Sequence, residues 1–319
     1  MSSNSNSSIS TAVPVNSFVK LHPELNSWLQ NTFRARKAFN PQHFINERCS
    51  EFLRYLAKFK ISTAVLSVSG GIDSASVLGL LKNAQDMANK IPDHPFNIAN
   101  GGQIIGVAQP IHSTSTIQNR AYEVGEAFGI PIVTIDQTEI YDILCKQIND
   151  SLPSPLTPFS ASMLKSYMRT PVAYAIASSN RGCVIGTGNL DEDGYLYYYC
   201  KFGDGAVDIG LIWDLHKSEV FTLAKHMGVP ESILIAPPSA DLAPGQTDET
   251  EIGVTYDMVE LIYNYLYTFN SDEQEKFILS LSPEALEQFN KEKEIVDAIH
   301  MRGSHKADLN PKNMGKYEF

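Results

Sequence analysis

Residues 65–76 read Val65-Leu66-Ser67-Val68-Ser69-Gly70-Gly71-Ile72-Asp73-Ser74-Ala75-Ser76, and this stretch decides the fold. Its apolar start predicts a buried strand, its Ser-Gly-Gly centre a tight turn, and the apolar spacing that follows a helix. A strand that turns through glycines into a helix points several backbone N–H groups at one place, where the helix dipole adds positive potential. Because glycine has no Cβ atom, a phosphate can approach this backbone closely. The stretch therefore predicts a phosphate-binding loop.

The side chains of this loop add hydroxyl donors from Ser69 and Ser74, and Asp73 is placed to hold a cation beside phosphates. The loop is not of the Walker A type, because the Gly-Lys-Ser/Thr ending is missing. Ser-Gly-Gly-x-Asp-Ser instead resembles the pyrophosphate loop of the N-type ATP pyrophosphatases. That resemblance implies cleavage of ATP to AMP and pyrophosphate, which activates a carboxylate or carbonyl for attack by nitrogen or sulfur.

The composition is that of a globular protein with an excess of acidic residues. The 319 residues are enough for one large α/β domain, or for a domain with appendages, and their 43% hydrophobic share is typical of a globular protein. The net charge of -11 argues against a sequence-independent nucleic-acid binder, which needs a basic face, and we expect no nucleic-acid partner. It does not argue against a nucleotide enzyme, since backbone amides and Mg²⁺ can balance phosphate charge.

The cysteines and the apolar runs bear on the compartment. The chain has four scattered cysteines and no CxxC pair, which predicts free thiols rather than a zinc site or a disulfide framework. The Ser/Asn-rich first residues lack the basic and apolar regions of a signal peptide, and no apolar run is long enough to span a membrane. We therefore expect a cytoplasmic protein with no membrane partner. The cysteines are Cys49, Cys145, Cys183 and Cys200.

Apolar runs alternate with helical patterns from residue 61 onward. Strands are predicted over 61–68, 104–108, 131–136 and 183–189, with a helix over about 74–88 after the first strand. This alternation predicts a doubly wound, mostly parallel sheet flanked by helices in three α/β/α layers. Ligands of such sheets bind beyond the carboxyl ends of the strands, which is where the Ser-Gly-Gly loop lies.

Local patterns also predict helix ends. Ser115-x-x-Gln118 is a capping box, and Gly129 fits the left-handed residue that ends the same helix. Thr170 as N-cap with Pro171 as the first helical residue predicts a new helix, and a kink at Pro171 is the alternative.

The chain divides into a Ser/Asn-rich tail and one domain. Residues 1–17 are predicted to be disordered. Within a single domain over 18–319 we expect N-terminal helices over 18–60 and a nucleotide-binding α/β core over 61–245. C-terminal helices and a tail that closes over the substrate are expected over 246–319.

Further motifs follow the loop in order. They are Gly-Thr-Gly-Asn-Leu-Asp-Glu (186–192), Lys-Phe-Gly-Asp-Gly-Ala-Val-Asp (201–208), Asp-Leu-His-Lys (214–217), Pro-Ser-Ala-Asp-Leu (238–242) and Gln-Thr-Asp-Glu-x-Glu-Ile-Gly-Val-Thr-Tyr-Asp (246–257). Together with the loop they closely resemble the NAD synthetase family, from about residue 64 to Ser-His-Lys at 304–306. The resemblance implies the adenine nucleotide alpha hydrolase type of the three-layer fold.

The resemblance also implies a ligase that forms NAD, in the final step of its biosynthesis, from deamido-NAD, ATP and ammonia. In that reaction the nicotinate carboxylate attacks the α-phosphate of ATP, pyrophosphate leaves, and ammonia then displaces AMP from the adenylated intermediate. A carboxylate is a poor acyl donor because oxide is a poor leaving group, and adenylation supplies a better one. The protein must stabilise the departing pyrophosphate and exclude water from the adenylate.

By matched position, the resemblance assigns three sets of site residues. The ATP site comprises Ser67, Val68, Ser69, Gly70, Gly71, Ile72, Asp73, Ser74, Thr187, Lys217 and Ser239. The ligands of the cofactor Mg²⁺ are Asp73 and Glu192, whose hard oxygens suit this ion, and the catalytic residues are Asp73, Lys217 and Asp208. The deamido-NAD site comprises Arg169, Lys201, Asp208, His305 and Lys306.

The sequence departs from the family pattern at three places. Tyr167 stands where family members commonly have an arginine, and Arg169 matches a second arginine that can take over the contact. One extra residue lies in the tyrosine-rich run after the Mg²⁺ glutamate, which makes Asp191 and Asp193 rival metal ligands. The segment 89–103 is a long loop to which we assign no function.

The nitrogen donor is expected to be free ammonia, or ammonia from a separate subunit. The roughly 60 residues before the loop are fewer than the ~100–150 of a typical domain, and Cys49 lacks a nucleophile context. The resemblance further implies a homodimer. Two alternatives stay open: another amidase of the N-type ATP pyrophosphatases, and a catalytically inactive nucleotide-binding homologue.

Overall fold

The computed structural model describes residues 20–237 and 247–308. Its strands are β1 (Thr63–Ser67), β2 (Gln103–Ala108), β3 (Ile132–Thr134), β4 (Gly182–Gly186) and β5 (Ile209–Gly210). They form one parallel sheet in the order β3-β2-β1-β4-β5. The predicted doubly wound sheet is confirmed, and the sequence pattern missed only the short edge strand β5 among these strands.

The register of the sheet brings strand ends together at one edge. Thr63 of β1 pairs with Gln103 of β2 on one side and with Gly182 of β4 on the other. The sheet is therefore extended from β1 in both directions, and a crevice forms at the carboxyl ends where the strand order reverses. This is the edge at which the predicted loop leaves β1.

Helices surround the sheet and form a second group beside it. Several begin with the chemistry that the sequence signals: Asn40, Thr157 and Ser282 each accept a backbone N–H bond and precede a proline. In chain order the helices are α1 (Pro23–Trp28), a first π-helix (Leu29–Arg34), α2 (Ala35–Lys37), α3 (Pro41–Phe59), α4 (Ile72–Ala88), a 3-10 turn (Ile98–Asn100), α5 (Ser115–Phe128), α6 (Thr138–Ser151), α7 (Pro158–Ser179), a second π-helix (Leu190–Leu196), α8 (Lys217–Met227), α9 (Glu231–Leu234), α10 (Asp248–Ile252), α11 (Tyr256–Tyr267), α12 (Ser271–Ser280), α13 (Pro283–Gly303) and a final 3-10 turn (Ser304–Lys306).

Two clusters of buried apolar side chains make the three layers. The larger lies between the sheet and α3, α4 and α8, and includes the wholly buried Leu66, Leu78 and Leu223. The smaller lies on the opposite face, where Val65 and Val184 pack with α7. Burial of this apolar surface is the main term that stabilises the layered arrangement.

A third cluster joins the first helices of the chain to the last ones. Phe33 contacts Phe269 with ring centroids 4.3 Å apart, and Phe277 is wholly buried among them. Arg34 Nε donates to Glu260 Oε1 at 3.0 Å across the same interface. The helical segment before α3 therefore packs on α11, and Trp28 meets Phe277 of α12. Tyr195 and Leu196 of the second π-helix belong to the same cluster.

The predicted capping box before α5 is wrong. The N-cap is Thr114, whose side chain makes no capping hydrogen bond, and Ser115 is the first helical residue. Gln118 reaches past it, and its Nε2 donates to the Ser113 carbonyl at 3.2 Å. Gly129 ends this helix with φ +67°, so the predicted left-handed glycine is confirmed.

The predicted new helix at Pro171 is also wrong, because α7 runs from Pro158 to Ser179 through that proline. The Thr-Pro start occurs earlier, where Thr157 accepts a bond from the backbone N–H of Ser160. The Thr170 hydroxyl instead donates to the Gly203 carbonyl at 2.8 Å. Packing of α7 against β1 and β4 outweighs the backbone hydrogen bond that proline removes.

The loop 89–103 covers α3. Phe96 is wholly buried and meets Phe52 edge-on at 5.9 Å, and His94 Nε2 lies 3.0 Å from the Leu53 carbonyl oxygen. All four cysteines are free, as predicted. Within residues 20–237 and 247–308, none of the helices combines the length and apolarity needed to cross a bilayer.

Candidate active site

A cavity of about 1040 Å³ opens at the carboxyl edge of the sheet. The predicted loop 67–74 lines it along its whole length, together with Thr187 after β4. The opposite wall is formed by α7, the second π-helix and the turn at Gly303–Lys306. The cavity therefore lies where the strand order predicts a ligand.

The loop itself is shaped for an anion. Gly70 has φ +81°, a conformation that other residues rarely adopt, and Gly71 is the N-cap of α4. Gly71 has no side chain to cap the first turn, so the N–H groups of that turn remain for a ligand. Ser69 Oγ accepts from the Gly71 N–H at 3.3 Å and lies 3.1 Å from Ser74 Oγ. These contacts fix the loop without filling its concave side.

Three charged side chains meet beside the loop. Lys217 Nζ donates to Asp73 Oδ2 at 2.7 Å and to Glu192 Oε1 at 2.6 Å. The Lys217 side chain is only 4% exposed, while those of Asp73 and Glu192 are 18% and 16% exposed. Asn189 Nδ2 holds the other Asp73 oxygen at 2.9 Å. The structure thus brings together the three residues to which the sequence assigns phosphate and metal chemistry.

Burial and charge act in opposite directions on these three groups. Burial alone would lower the pKa of Lys217, but the carboxylates of Asp73 and Glu192 raise it above its ordinary value. Burial raises the pKa of Asp73, whereas at Glu192 the Lys217 ammonium outweighs burial and holds the pKa below its usual value. Lys217 is therefore a permanent cation, and Glu192 stays ionised.

A tyrosine and a fourth carboxylate extend this network. Tyr256 Oη donates to Glu192 Oε1 at 2.5 Å and lies 3.2 Å from Asp248 Oδ2. Asp248 lines the cavity, and burial raises its pKa to about 7. Tyr256 and Asp248 both lie in the motif at 246–257, but the sequence pattern alone gives neither residue a role. A buried pair of phenol and carboxylate at a charged cavity needs tertiary contacts to be recognised.

The second π-helix separates the three consecutive acids. Asp191 is wholly buried, and its two oxygens accept bonds from His216 Nδ1 and the Lys217 backbone N–H, each at 2.7 Å. It does not line the cavity, so Asp191 is wrong as a rival metal ligand. Asp193 does line the cavity, and burial raises its pKa well above the ordinary value.

The predicted acceptor residues fall into two groups, of which the first lines the cavity. Arg169 Nε donates to the Gln109 carbonyl at 3.2 Å beside the end of β2. His305 lines the opposite wall, and Lys306 Nζ donates to the carbonyls of Tyr197 and Tyr199 at 2.8 and 2.7 Å. Lys306 therefore closes the end of the second π-helix as well as facing the cavity.

The second group lies outside the cavity wall. Asp208 Oδ2 accepts the backbone N–H of Val184 at 2.7 Å, which ties it to the edge of the sheet. Lys201 and Tyr167 are likewise absent from the lining of the described cavity. Ser239 lies outside the described residues. The roles that the resemblance gives Lys201, Asp208 and Ser239 stay predictions.

Comparison with known proteins agrees with this geometry. A model of the NAD synthase family matches residues 44–306. The NH(3)-dependent NAD(+) synthetase of Methanococcoides burtonii is 38% identical over 207 residues, 63% of this chain and 71% of that protein. That of Alkaliphilus metalliredigens is 33% identical over 253 residues, 77% of this chain and 88% of that protein.

Solved structures share the fold. The NMN synthetase of Francisella tularensis aligns with a TM-score of 0.68 at 27% identity, over 87% of this chain and 100% of that chain. The NH3-dependent NAD synthetase of Campylobacter jejuni aligns with a TM-score of 0.64 over the same shares, and its 20% identity shows the fold alone. Because the family model spans most of the chain and the relatives exceed 30% identity over most of their length, this chain belongs to the NAD synthase family, ligases that form a carbon–nitrogen bond.

Proposed function

We propose that this enzyme converts deamido-NAD to NAD with ammonia as the nitrogen donor, while ATP is cleaved to AMP and pyrophosphate. One observation carries the proposal: the phosphate loop and two carboxylates, Asp73 and Glu192, line one cavity, and both carboxylates hold the buried Lys217 behind them, in a chain that belongs to the NAD synthase family. The reaction has two parts, activation of the nicotinate carboxylate and attack by nitrogen, and the site residues divide between them.

Activation is the task of the loop and of Lys217. The N–H groups at the start of α4 hold the phosphates of ATP, and Lys217 places a fixed positive charge beside them. The nicotinate carboxylate attacks the α-phosphorus, the bond to the β-phosphate breaks, and pyrophosphate leaves. Because the Lys217 ammonium is already fixed in place, the surrounding protein needs little rearrangement when negative charge moves onto the departing pyrophosphate.

Mg²⁺ fits this site by the chemistry of its donors. Asp73 and Glu192 already converge on one positive charge, the Lys217 ammonium, and both carboxylates are partly exposed. In the described ranges no set of three or more His, Cys, Asp or Glu side chains is arranged for a metal. Two carboxylates would therefore hold Mg²⁺, with water and phosphate oxygens as its other ligands, as this ion prefers. When bound, it neutralises charge on the departing pyrophosphate.

The acceptor is proposed to lie along the wall that carries Arg169 and His305, whose donors suit the diphosphate of a dinucleotide. Contacts with Lys201 and Asp208 need a ligand that extends past the described cavity. A homodimer is supported by exposed apolar side chains at the sheet edge, Val133 on β3 and Ile140 and Ile143 on α6. The free thiols support a cytoplasmic location.

A mononucleotide acceptor is the second candidate. The solved structure titled NMN synthetase matches this chain at 27% identity and is covered over its full length. Its name implies amidation of a nicotinate mononucleotide, which carries the same reacting carboxylate and lacks the AMP half of the dinucleotide. The two acceptors differ only in contacts away from the reacting carboxylate, so the chemistry of Lys217, Asp73 and Glu192 applies to both.

The experiment that tests the function is pyrophosphate release from ATP and Mg²⁺ with each acceptor, using ammonium or glutamine as nitrogen donor. We expect NAD to form from deamido-NAD with ammonium, at a kcat/KM for deamido-NAD above that for the mononucleotide. A higher kcat/KM for the mononucleotide would replace the first candidate with the second. Pyrophosphate release with neither acceptor would refute both and favour a nucleotide-binding protein without turnover.

A further inference from the structure

Asp248 is a buried carboxylate with an unused oxygen. It is the first residue of α10, directly after the N-cap Thr247, and it is only 6% exposed. It nevertheless lines the cavity. Its Oδ1 is buried and has no hydrogen-bond partner within the described residues. Such an oxygen costs stability, and a buried unsatisfied polar group in a native protein calls for an explanation.

The second oxygen of Asp248 is held only weakly. Tyr256 Oη lies 3.2 Å from Asp248 Oδ2 and 2.5 Å from Glu192 Oε1. A phenol has one proton, and the shorter contact with Glu192 takes it. Lys217 is in turn held by Asp73 and Glu192. Asp248 therefore obtains neither the phenol proton nor a hydrogen bond from the Lys217 ammonium, whose charge acts on it only at longer range, while the Tyr256 oxygen can still accept.

A small cation with several N–H donors suits this pair of acceptors. At neutral pH ammonia in water is almost entirely ammonium, which has donors on every side and no acceptor. We propose that Asp248 and the Tyr256 oxygen bind the ammonium ion that supplies the nitrogen, an inference that rests on the proposed function. The ion reaches the pair from the cavity, which Asp248 lines, and exchanges part of its water shell for Asp248 Oδ1 and for the phenol oxygen of Tyr256 behind it.

The arrangement suits ammonium better than a second Mg²⁺. Mg²⁺ requires near-octahedral oxygen ligands and gives up its water reluctantly. Asp248 and Tyr256 supply only one carboxylate and one phenol, whereas Asp73 and Glu192 supply two carboxylates. Ammonium has no such geometric demand, and a hydrogen bond that involves charged groups contributes more than a neutral one.

Glu249 offers a matched control for a purely structural role. It is the next residue in the same helical turn, and its Oε1 accepts the backbone N–H of Tyr256 at 2.9 Å. It does not line the cavity. Acidic residues in a first turn stabilise a helix through its dipole, and both Asp248 and Glu249 are placed to do so. If Asp248 served only α10, Asp248→Asn and Glu249→Gln would act alike.

The test uses the full chain with ATP, Mg²⁺ and deamido-NAD in two assays. NAD formation over a range of ammonium concentrations reports nitrogen binding. Exchange of labelled pyrophosphate into ATP without ammonium reports activation alone. We expect Asp248→Asn to raise the KM for ammonium at least tenfold and to keep exchange within about threefold of the native rate, with Glu249→Gln unchanged in both.

Hydroxylamine supplies the second arm, because it reaches the enzyme uncharged near pH 8 and has no need of a cation site. Asp248→Asn should use it, with formation of the hydroxamate, within about threefold of the native enzyme. An unchanged KM for ammonium, or an equal loss with ammonium and hydroxylamine, overturns the inference. If Asp248→Asn also loses pyrophosphate exchange, the KM for ammonium, the exchange rate and the use of hydroxylamine are compared in Asp248→Ser, and the same outcomes support or overturn the inference. A native enzyme that shows neither exchange nor NAD formation refutes the proposed function instead, so the two failures are distinguishable.

Discussion

Replacement of Lys217 by methionine tests the electrostatics of the site most directly. The Lys217 ammonium lies 2.7 Å from Asp73 Oδ2 and 2.6 Å from Glu192 Oε1, and its side chain is 4% exposed. Methionine keeps the unbranched shape and most of the volume but leaves both carboxylates without their cation. The variant therefore removes the charge with little change in packing.

The free energy of unfolding that Lys217→Met should lose follows from the two contacts of the ammonium. At an effective dielectric constant of about 20, each contact is worth about 6 kcal/mol. Dehydration of three buried ions offsets much of this, and breaking a buried ion pair costs about 3–5 kcal/mol. In the variant, one of the two unpaired carboxylates can take up a proton. We therefore expect the free energy of unfolding to fall by an amount near the low end of this range, about 3 kcal/mol at pH 8. The exposed pair of Lys146 with Asp150 is the control, where Lys146→Met should cost less than about 0.5 kcal/mol.

Urea unfolding at a series of pH values measures the loss. Without Lys217, burial holds the pKa values of Asp73 and Glu192 above those of the unfolded chain, so the folded variant binds more protons than the unfolded one. The variant therefore gains stability as the pH falls. The difference in free energy of unfolding between the native protein and the variant should become smaller from pH 8 toward pH 5. A loss below about 1 kcal/mol that is constant with pH would refute the reasoning, because exposed pairs behave in that way.

Asp73→Ala and Glu192→Ala should each lower kcat more than about 100-fold with an unchanged circular dichroism spectrum, since each removes a predicted Mg²⁺ ligand and charge partner of Lys217; near-full activity with Mg²⁺ would contradict the metal assignment. Tyr167→Arg should lower the KM for deamido-NAD about threefold or more, because it restores an arginine that family members commonly have, at a position that lies outside the described cavity as Lys201 and Asp208 do; an unchanged or higher KM would count against this interpretation of the position. Asp248→Asn should unfold at a higher urea concentration than the native protein at pH 8, because a carboxyl pKa raised to about 7 makes stability fall as the pH rises through that value. This gain should vanish as the pH falls from about 7 to about 4, and a gain that does not depend on pH would exclude titration of Asp248 as its cause.

The fold could be predicted because its signals are local. The apolar run before Ser69 needs a buried strand, and Gly70 supplies the positive φ that the turn requires. Lys217 begins α8 as expected, and the sequence around it explains why: Glu219 Oε2 accepts the His216 N–H at 2.9 Å at the start of the helix. Each of these features depends on residues within a few positions of one another.

The errors arise where a distant partner changes a local preference. Thr170 and Pro171 have the chemistry of a helix start, yet the Thr170 hydroxyl bonds to Gly203 and the helix continues. The role of Asp208 at the substrate stays a prediction, but the contact that the structure shows, its carboxylate on the Val184 N–H, is likewise one that its sequence position does not indicate. A pattern within a few residues carries no information about a partner that lies dozens of residues away.

The three acids after Asn189 show most clearly what the sequence leaves open, because spacing alone makes Asp191 and Asp193 equal rivals for the metal. The π-helix decides between them. The Asn189 carbonyl accepts from both Asp193 N at 3.0 Å and Gly194 N at 3.2 Å, the wider turn that an extra residue produces. Asp191 then meets His216 and the start of α8, Glu192 meets the Lys217 ammonium, and Asp193 faces the cavity. Asp191 therefore acts on the site by fixing the start of the helix that carries Lys217, Glu192 acts by its charge beside that lysine, and burial favours the neutral form of Asp193 in the cavity wall.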